Sequence, residues 1–225
     1  MTALHKRPQT MERHHIENET LTMGIDEAGR GPILGSMVLA VVCLTPNQSA
    51  YLAKQGVSDS KHFGSGVKAA AKRRELSTLI YQHAAYVRTL DANVQEIDER
   101  VKRKQLNHLE RDLATRLIDS APKVKRIIAD GKTLFSPLKE RYSQLEAYNK
   151  AESIDVAVAA ASIVAKDRRD FLFTLIADRY KKHFGNIRGG GYVNSATKDF
   201  LSKHVAQHGQ LPPETRLSWP NPVSQ

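Results

Sequence analysis

The chain has 225 residues, of which 40% are hydrophobic and 26% charged, so it is long enough to bury a substantial core and has the composition of an ordinary globular protein. No apolar run approaches the ~20 residues that span a bilayer, and the polar first 20 residues lack the apolar core of a secretion signal, so we expect a cytoplasmic protein that does not enter a membrane. The net charge of +10 at pH 7 can simply serve solubility, but it also fits a polyanionic partner, either nucleic acid or an acidic membrane surface.

Hydrophobic periodicity predicts alternating strands and helices, which is typical of an α/β layer structure. We expect residues 1–20 to form a flexible polar tail and residues 21–225 to form one domain. The first elements are two strands within residues 21–44, the second of them over residues 33–44, followed by a loop over residues 45–66. The remaining elements, in chain order, are a helix over 67–86, a strand over 86–90, a long charged helix over 94–118 that one break can interrupt, a strand over 124–129, a strand over 145–148, a helix over 157–180, a glycine-rich loop over 185–191 and a last helix over 196–208.

The most informative stretch is an acidic, glycine-rich turn between the first two predicted strands. Asp26 and Glu27 are adjacent, so on a regular strand their side chains would point to opposite faces of the sheet. Both can reach one metal site only if the strand ends or twists there, which Gly29 and Gly31 permit. Arg30 carries a planar fork of donors that suits phosphate oxygens. A strand, an acid pair and a basic turn in this order indicate a site for divalent metal ions beside a phosphate.

Five blocks of sequence, in the same order, resemble the ribonuclease HII family of type 2 ribonucleases H. Together they span about residues 22–220, which is nearly the whole chain. A lone Asp-Glu pair would carry little weight, because most such pairs lie on a solvated surface. The resemblance implies the ribonuclease H-like fold, a mixed five-stranded sheet flanked by helices, with a C-terminal helical part. The blocks are Met23 to Pro32, Asp59-Ser60-Lys61, Ile127 to Gly131, Ala159 to Lys166 and Gly191-Tyr192.

The resemblance also implies an activity. A protein of this family would be an endoribonuclease that cleaves the RNA strand of RNA–DNA hybrids and cuts 5′ of ribonucleotides embedded in duplex DNA, as in ribonucleotide excision repair. We expect it to act as a monomer. Its chemistry would be hydrolysis of a phosphodiester assisted by Mn²⁺ or Mg²⁺.

Phosphodiester cleavage of this kind commonly uses two metal ions held about 4 Å apart by carboxylates, water and substrate phosphate. Asp26 and Glu27 are two candidate ligands and catalytic residues. Asp130 is the third, because it ends a predicted strand just before Gly131. An isolated aspartate at such a position would be an ordinary turn residue, but the matching strand before it favours a metal ligand.

The fourth acid departs from the family pattern. The resemblance implies an aspartate eight residues before Ala160, and this chain has Glu152 at that position. Asp155 is the nearest aspartate and is the alternative. The sister ribonuclease HIII group is similar to this chain in using glutamate there, so we expect Glu152 to be the fourth catalytic acid. The competing hypothesis is that the substitution weakens catalysis.

Substrate contacts are also implied by the resemblance. The Gly-Arg-Gly turn (Gly29, Arg30 and Gly31) would read the backbone around a ribonucleotide through its 2′-hydroxyl, the group that distinguishes RNA from DNA. Tyr192 would pack on the neighbouring deoxyribose, although Val193 replaces the proline that usually follows it. Three basic residues are candidate phosphate contacts, and each would otherwise be a solvated surface charge: Lys61, Lys166 and Arg169.

Other features are expected to be structural. Ser162 lies in an alanine-rich helix and should serve packing rather than nucleophilic attack. The basic runs at 72–74 and 102–104 are expected to be solvated helix faces that add general attraction to nucleic acid.

Two other functions compete with the hydrolase. One is a non-catalytic nucleic-acid-binding protein on the same fold, which the glutamate at position 152 motivates. The other is a different nuclease of the superfamily, such as a resolvase or a DEDD exonuclease, which would share the acids but not the Gly-Arg-Gly turn or the Gly-Tyr block.

Overall fold

The computed structural model describes residues 21–58, 64 and 66–223. The predicted polar tail and the Asp59-Ser60-Lys61 block, with its candidate phosphate contact Lys61, lie outside the described residues. Within the described ranges, no helix has both the length and the apolar character needed to cross a bilayer.

A mixed five-stranded sheet organises the chain, with the strand order β3-β2-β1-β4-β5. Strands β1, β2 and β3 are paired antiparallel, whereas β4 lies parallel to both β1 and β5. The fold implied by the family resemblance is therefore confirmed. The strands are β1 (Thr22–Ala28), β2 (Met37–Leu44), β3 (Tyr86–Ala92), β4 (Arg126–Asp130) and β5 (Leu145–Tyr148), and the helices are α1 (Pro46–Lys54), α2 (Val67–His83), α3 (Val94–Lys102), α4 (Leu106–Ser120), α5 (Lys132–Phe135), α6 (Val156–Phe184) and α7 (Ser195–His208), with short 3₁₀ segments at Ser136–Glu140 and Ala151–Ser153.

Helices cover both faces of the sheet. On one face α6 lies directly over β1, and a Cβ atom at Gly24 would come within 2.1 Å of the Ala157 carbonyl carbon. This close approach explains why the start of α6 is rich in alanine, since larger side chains would push the helix away from the sheet. On the other face, buried residues of α4 such as Leu113 and Leu117 share one hydrophobic cluster with Met23 and Ile25 of β1.

Some boundaries differ from the prediction. Residues 45–66 were predicted to be a loop, but they contain α1, which Thr45 and Gln48 begin with a capping box. The periodicity of α1 is weak because Leu52 is its one buried residue. The break that was anticipated in the long charged helix lies between α3 and α4, where Lys104 has a positive φ of 59°.

Strand β2 begins at Met37 rather than at Ile33. The apolar residues before it pair with other parts of the chain: the N–H group of Ile33 donates to the Gly191 carbonyl at 2.9 Å, and Leu34 forms an isolated bridge with Thr215. The stretch after the acidic turn thus connects the glycine-rich loop before α7 with the C-terminal segment, residues 211–223.

Candidate active site

The ends of β1 and β4 open into a cleft of about 430 Å³. It brings together the four predicted acids, the Gly-Arg-Gly turn, Lys166 and Tyr192, which are far apart in the sequence. The residues that line it are Asp26, Glu27, Ala28, Gly29, Arg30, Gly31, Gly64, Arg73, Asp130, Glu152, Ser162, Lys166 and Tyr192.

Both adjacent acids line the cleft, and of the two predicted routes, an end of the strand or a twist, the structure excludes the end. Strand β1 does not end between them, because it stays paired with β2 through Ala28. Its parallel pairing with β4 stops at Ile25, so Asp26 and Glu27 extend past the last β1–β4 pair. By strand alternation Asp26 lies on the α6 face and Glu27 on the α4 face, and the cleft spans the sheet edge between these faces.

The acids raise one another's pKa. Burial is the largest cause of the raised pKa of Asp26, followed by the charges of Glu27 and Asp130, whereas a hydrogen bond from the Ser162 hydroxyl opposes the rise. Burial and the charge of Asp130 also raise the pKa of Glu27, and the Arg30 guanidinium lowers it. Such a group of acids favours the binding of a cation, which would stabilise the charged carboxylates.

Asp130 links the end of β4 to the segment that carries the fourth acid. Its Oδ1 atom accepts a hydrogen bond from the Ala151 N–H group at 2.9 Å. Glu152 follows in a 3₁₀ turn and is only 4% exposed, on the wall of the cleft. Asp155 has a different role: it is the N-cap of α6, where its carboxylate accepts from the Ala157 N–H group at 2.8 Å. The structure therefore brings Glu152, and not Asp155, to the other acids.

The donor set of the cleft suits a hard divalent cation. Asp26, Glu27, Asp130 and Glu152 offer carboxylate oxygens only, as Mg²⁺ and Mn²⁺ prefer. Among the described residues, no three His, Cys, Asp or Glu side chains already converge closely enough to hold a metal ion. Because Mg²⁺ usually keeps several waters and takes only one or two carboxylates, the chemistry of the donors still fits.

Two residues of α4 hold the side chain of Arg30. The guanidinium forms an ion pair with Glu110 and donates to Asn107 Oδ1 at 2.7 Å. The Glu110 side chain is fully buried, and burial raises its pKa to about 7 although the Arg30 charge opposes the rise. Glu110 was not predicted from the sequence. The available signal was an acid between Leu109 and Leu113 on the buried stripe of an amphipathic helix.

The tyrosine of the glycine-rich loop lies against the turn. A Cβ atom at Gly31 would be 3.3 Å from the Tyr192 ring, so the missing side chain leaves room for this contact. Three consecutive glycines with positive φ, residues 189–191, form the loop that carries the ring. Tyr192 is 49% exposed, which leaves one face of the ring available to a ligand.

The basic residues of the site do not all have the environment that was predicted for them. Lys166 lines the cleft and is paired with Asp170. Arg73, expected on a solvated helix face, is instead buried on the cleft wall and lies 3.4 Å from Asp170. Arg169 is 2% exposed and donates to the Leu34 carbonyl at 3.2 Å, so its predicted role as a phosphate contact is wrong. Ser162 does more than pack, since its hydroxyl bonds Asp26.

Comparison with known proteins gives a consistent result. The family model described as Ribonuclease HII matches residues 23–222. A ribonuclease HII from Methanococcus vannielii is 32% identical over 216 residues, covering 91% of this chain and 84% of the relative. The crystal structure of the ribonuclease H2 from Pyrococcus horikoshii is 28% identical with a TM-score of 0.77, covering 90% of this chain and 95% of that one. Bst-RNase HIII in complex with Mn²⁺ shares the fold, with a TM-score of 0.70 at 20% identity, covering 90% of this chain and 68% of that one.

Proposed function

The chain belongs to the ribonuclease HII family, and from this premise we propose that it cleaves the RNA strand of RNA–DNA hybrids and cuts 5′ of ribonucleotides embedded in duplex DNA. One observation carries the proposal: a single cleft is lined by four carboxylates, by a glycine-flanked arginine and by an exposed tyrosine. This set combines oxygen ligands for metal ions with groups that can contact a nucleic-acid backbone.

Asp26, Glu27, Asp130 and Glu152 would hold Mg²⁺ or Mn²⁺ in this cleft. Bound there, the ions would supply an activated water and stabilise the charge that develops on the phosphate and the leaving oxygen. The Mn²⁺ complex of Bst-RNase HIII, a protein of the same fold, is consistent with this choice of metal. Asp130 and Ser162 contribute to the geometry through their hydrogen bonds, to Ala151 and Asp26 respectively.

Selection of the ribonucleotide would depend on the turn and on Tyr192. The turn and the ring are in contact at Gly31, so one nucleotide held by the turn places the sugar of its neighbour near the ring. A deoxyribose packs on an aromatic face without the obstruction of a 2′-hydroxyl. The cleft therefore suits a step from RNA to DNA within one strand.

Binding of the duplex would use the basic surface. The net charge of +10 attracts phosphates, and Lys166 and Arg73 lie on the cleft wall next to the acids. Affinity should fall steeply with added salt, because basic residues that meet phosphates release counterions.

The test is a cleavage assay on three labelled duplexes of one sequence: all DNA, an RNA–DNA hybrid, and DNA with a single ribonucleotide. We expect metal-dependent incision of the last two, 5′ of the ribonucleotide in the third, and no cutting of the all-DNA duplex. Asp130→Asn, purified in parallel, controls for contaminating nucleases. Binding to the hybrid without cleavage in Mg²⁺ or Mn²⁺ would contradict the proposal and favour a non-catalytic binding protein.

A further inference from the structure

The C-terminal segment runs along the back of the Gly-Arg-Gly turn. Its backbone pairs with the stretch that follows the turn: the Gly35 N–H group donates to the Glu214 carbonyl at 2.9 Å, and the Arg216 N–H group donates to the Ile33 carbonyl at 2.8 Å. These bonds place residue 216 directly behind the turn, although more than 180 residues separate them in the chain.

The side chain of Arg216 is fully buried and binds backbone carbonyls. Its Nη2 donates to the Gly29 carbonyl at 2.6 Å, its Nη1 to the Arg30 carbonyl at 2.9 Å, and its Nε to the Gly35 carbonyl at 2.9 Å. The guanidinium also lies over the Trp219 ring, 4.9 Å from its centroid. A rigid fork of donors can satisfy all three carbonyls together, which the single ammonium of lysine cannot do in the same geometry.

Burial of this cation is costly, so its position requires an explanation. Burial, and then the charge of Arg169, lowers the pKa of Arg216 to about 10, which keeps the guanidinium charged at neutral pH. A neutral side chain would avoid the cost of burying a charge. The cation instead orients two successive peptide groups of the turn that forms one wall of the cleft.

The orientation of these peptides determines where their N–H groups point. In a planar trans peptide the C=O and N–H bonds point in opposite directions. Because the carbonyls of Gly29 and Arg30 point to Arg216, the N–H groups of Arg30 and Gly31 point away from it. Gly29, Arg30 and Gly31 line the cleft, and within the described part of the chain neither N–H group donates a hydrogen bond. Successive N–H groups of this kind bind anions and oxygen acceptors.

We propose that Arg216 is a positioning residue that presents the Arg30 and Gly31 N–H groups to the sugar–phosphate backbone at the ribonucleotide. The inference rests on the proposed function and deepens it: selectivity for a ribonucleotide would depend on a cation that never touches the substrate. The charge of Arg216 also polarises the two peptide groups, which strengthens their N–H donors.

A second anchor of the same segment offers a matched control. The Asp98 carboxylate accepts hydrogen bonds from the N–H groups of Leu217 and Ser218 at 2.9 and 3.0 Å, and from the Ser218 hydroxyl. Asp98 therefore holds the C-terminal segment without bonding to the turn. Asp98→Asn should loosen the segment, whereas Arg216→Lys should change the turn while keeping a positive charge.

The experiment measures binding by fluorescence anisotropy in EDTA, so that no cleavage occurs. The probes are a DNA duplex with one ribonucleotide and the all-DNA duplex of the same sequence. We expect Arg216→Lys and Arg216→Gln to lower the preference for the ribonucleotide by about tenfold, since two hydrogen-bond donors are misdirected. Affinity for the all-DNA duplex should change little. Asp98→Asn should lower the melting temperature but keep the preference.

Cleavage by the same proteins separates the possible outcomes. The inference is supported if wild type cleaves and selects the ribonucleotide while both Arg216 variants, folded by circular dichroism, lose selectivity and Asp98→Asn retains it. It is overturned, with the function intact, if a folded Arg216 variant keeps wild-type selectivity or if Asp98→Asn loses as much. If wild type neither cleaves nor selects a ribonucleotide, the proposed function fails and the inference fails with it.

Discussion

The three strands β1, β4 and β5 run parallel, and their two ends carry carboxylates in opposite environments. At the end where β4 meets the cleft, burial and neighbouring acids raise the pKa of Asp26 and Glu27. At the end where the strands begin, Glu146 accepts two hydrogen bonds from Arg126, at 2.6 and 3.0 Å, and these lower its pKa to about 2. An acid that a neighbouring cation already satisfies has a structural role. Acids that repel one another in a cleft favour a cation that must come from outside the chain.

The largest expected effect is at Asp130. Asp130→Asn keeps an oxygen that can accept from the Ala151 N–H group but removes the charge, so we expect a folded protein whose cleavage rate falls by at least ~10³-fold, about 4 kcal/mol of barrier. Binding to a hybrid without metal should be unchanged or tighter, because one repulsion with phosphate is gone. Single-turnover kinetics and thermal melts measure both. A variant that keeps more than about a tenth of the rate, a barrier change below ~1.4 kcal/mol, would count against a ligand role.

The next effect is on stability, at Glu110. Its pKa of about 7 lies above the ordinary value of 4.5, so between these pH values the folded protein holds a proton that the unfolded chain has released. Wild type should therefore lose stability as pH rises through this window, by about 3 kcal/mol in total. Glu110→Gln lacks this slope. Urea unfolding of both proteins from pH 4.5 to 7.5 gives the free energy of unfolding at each pH. If this free energy changes with pH equally in both proteins, the prediction is wrong.

A smaller effect is expected at Glu152. Glu152→Gln should reduce cleavage by about thirtyfold, near 2 kcal/mol of barrier, because the side chain lies on the cleft wall with the other acids. Glu152→Asp should keep or improve activity, and Mn²⁺ should help more than Mg²⁺. Asp155→Asn is the matched control, since asparagine caps a helix as well as aspartate does. An inactive Asp155→Asn beside an unaffected Glu152→Gln would reverse the assignment.

The smallest effect is expected at the opposite end of the sheet. Glu146→Gln should leave the cleavage rate unchanged and cost less than about 1 kcal/mol, since the ion pair with Arg126 is partly exposed. Its pKa is lowered, so its contribution is present above about pH 4.5 and is lost as pH falls toward 2, the opposite direction to Glu110. Urea unfolding between pH 2.5 and 6 measures this. A rate loss comparable to that of Asp130→Asn would remove the distinction between the two ends.

Several elements could be predicted because their causes are local. Strand β5 was predicted with its observed bounds, 145–148, and a break in the helix over 94–118 was anticipated. Helix α1 was missed because one buried leucine leaves little periodicity, although the Thr45–Gln48 capping box was readable in the sequence. Strand β2 was predicted four residues too long, since apolar residues before it pair with segments that are distant in the chain.

In the cleft, too, features with local causes could be predicted, whereas features that depend on distant contacts could not. The family resemblance indicated the four acids, the Gly-Arg-Gly turn and Tyr192, because each belongs to a motif or lies at a set spacing from one. The burial of Arg169 and Arg73 could not be predicted from the sequence, because the burial of a basic side chain depends on what packs over it.

The sequence by itself determined the family, the five strands and the long helices, since short-range patterns specify these, and it indicated which acids belong together. Only the tertiary structure decided that Asp26 and Glu27 reach one cleft from opposite faces of an unbroken strand, and that Asp155 caps a helix while Glu152 lines the cleft. It alone showed that Glu110 and Arg216 hold the turn from two sides. The physical reason is that ion pairs and hydrogen bonds between distant residues depend on how the chain closes on itself, which no local pattern records.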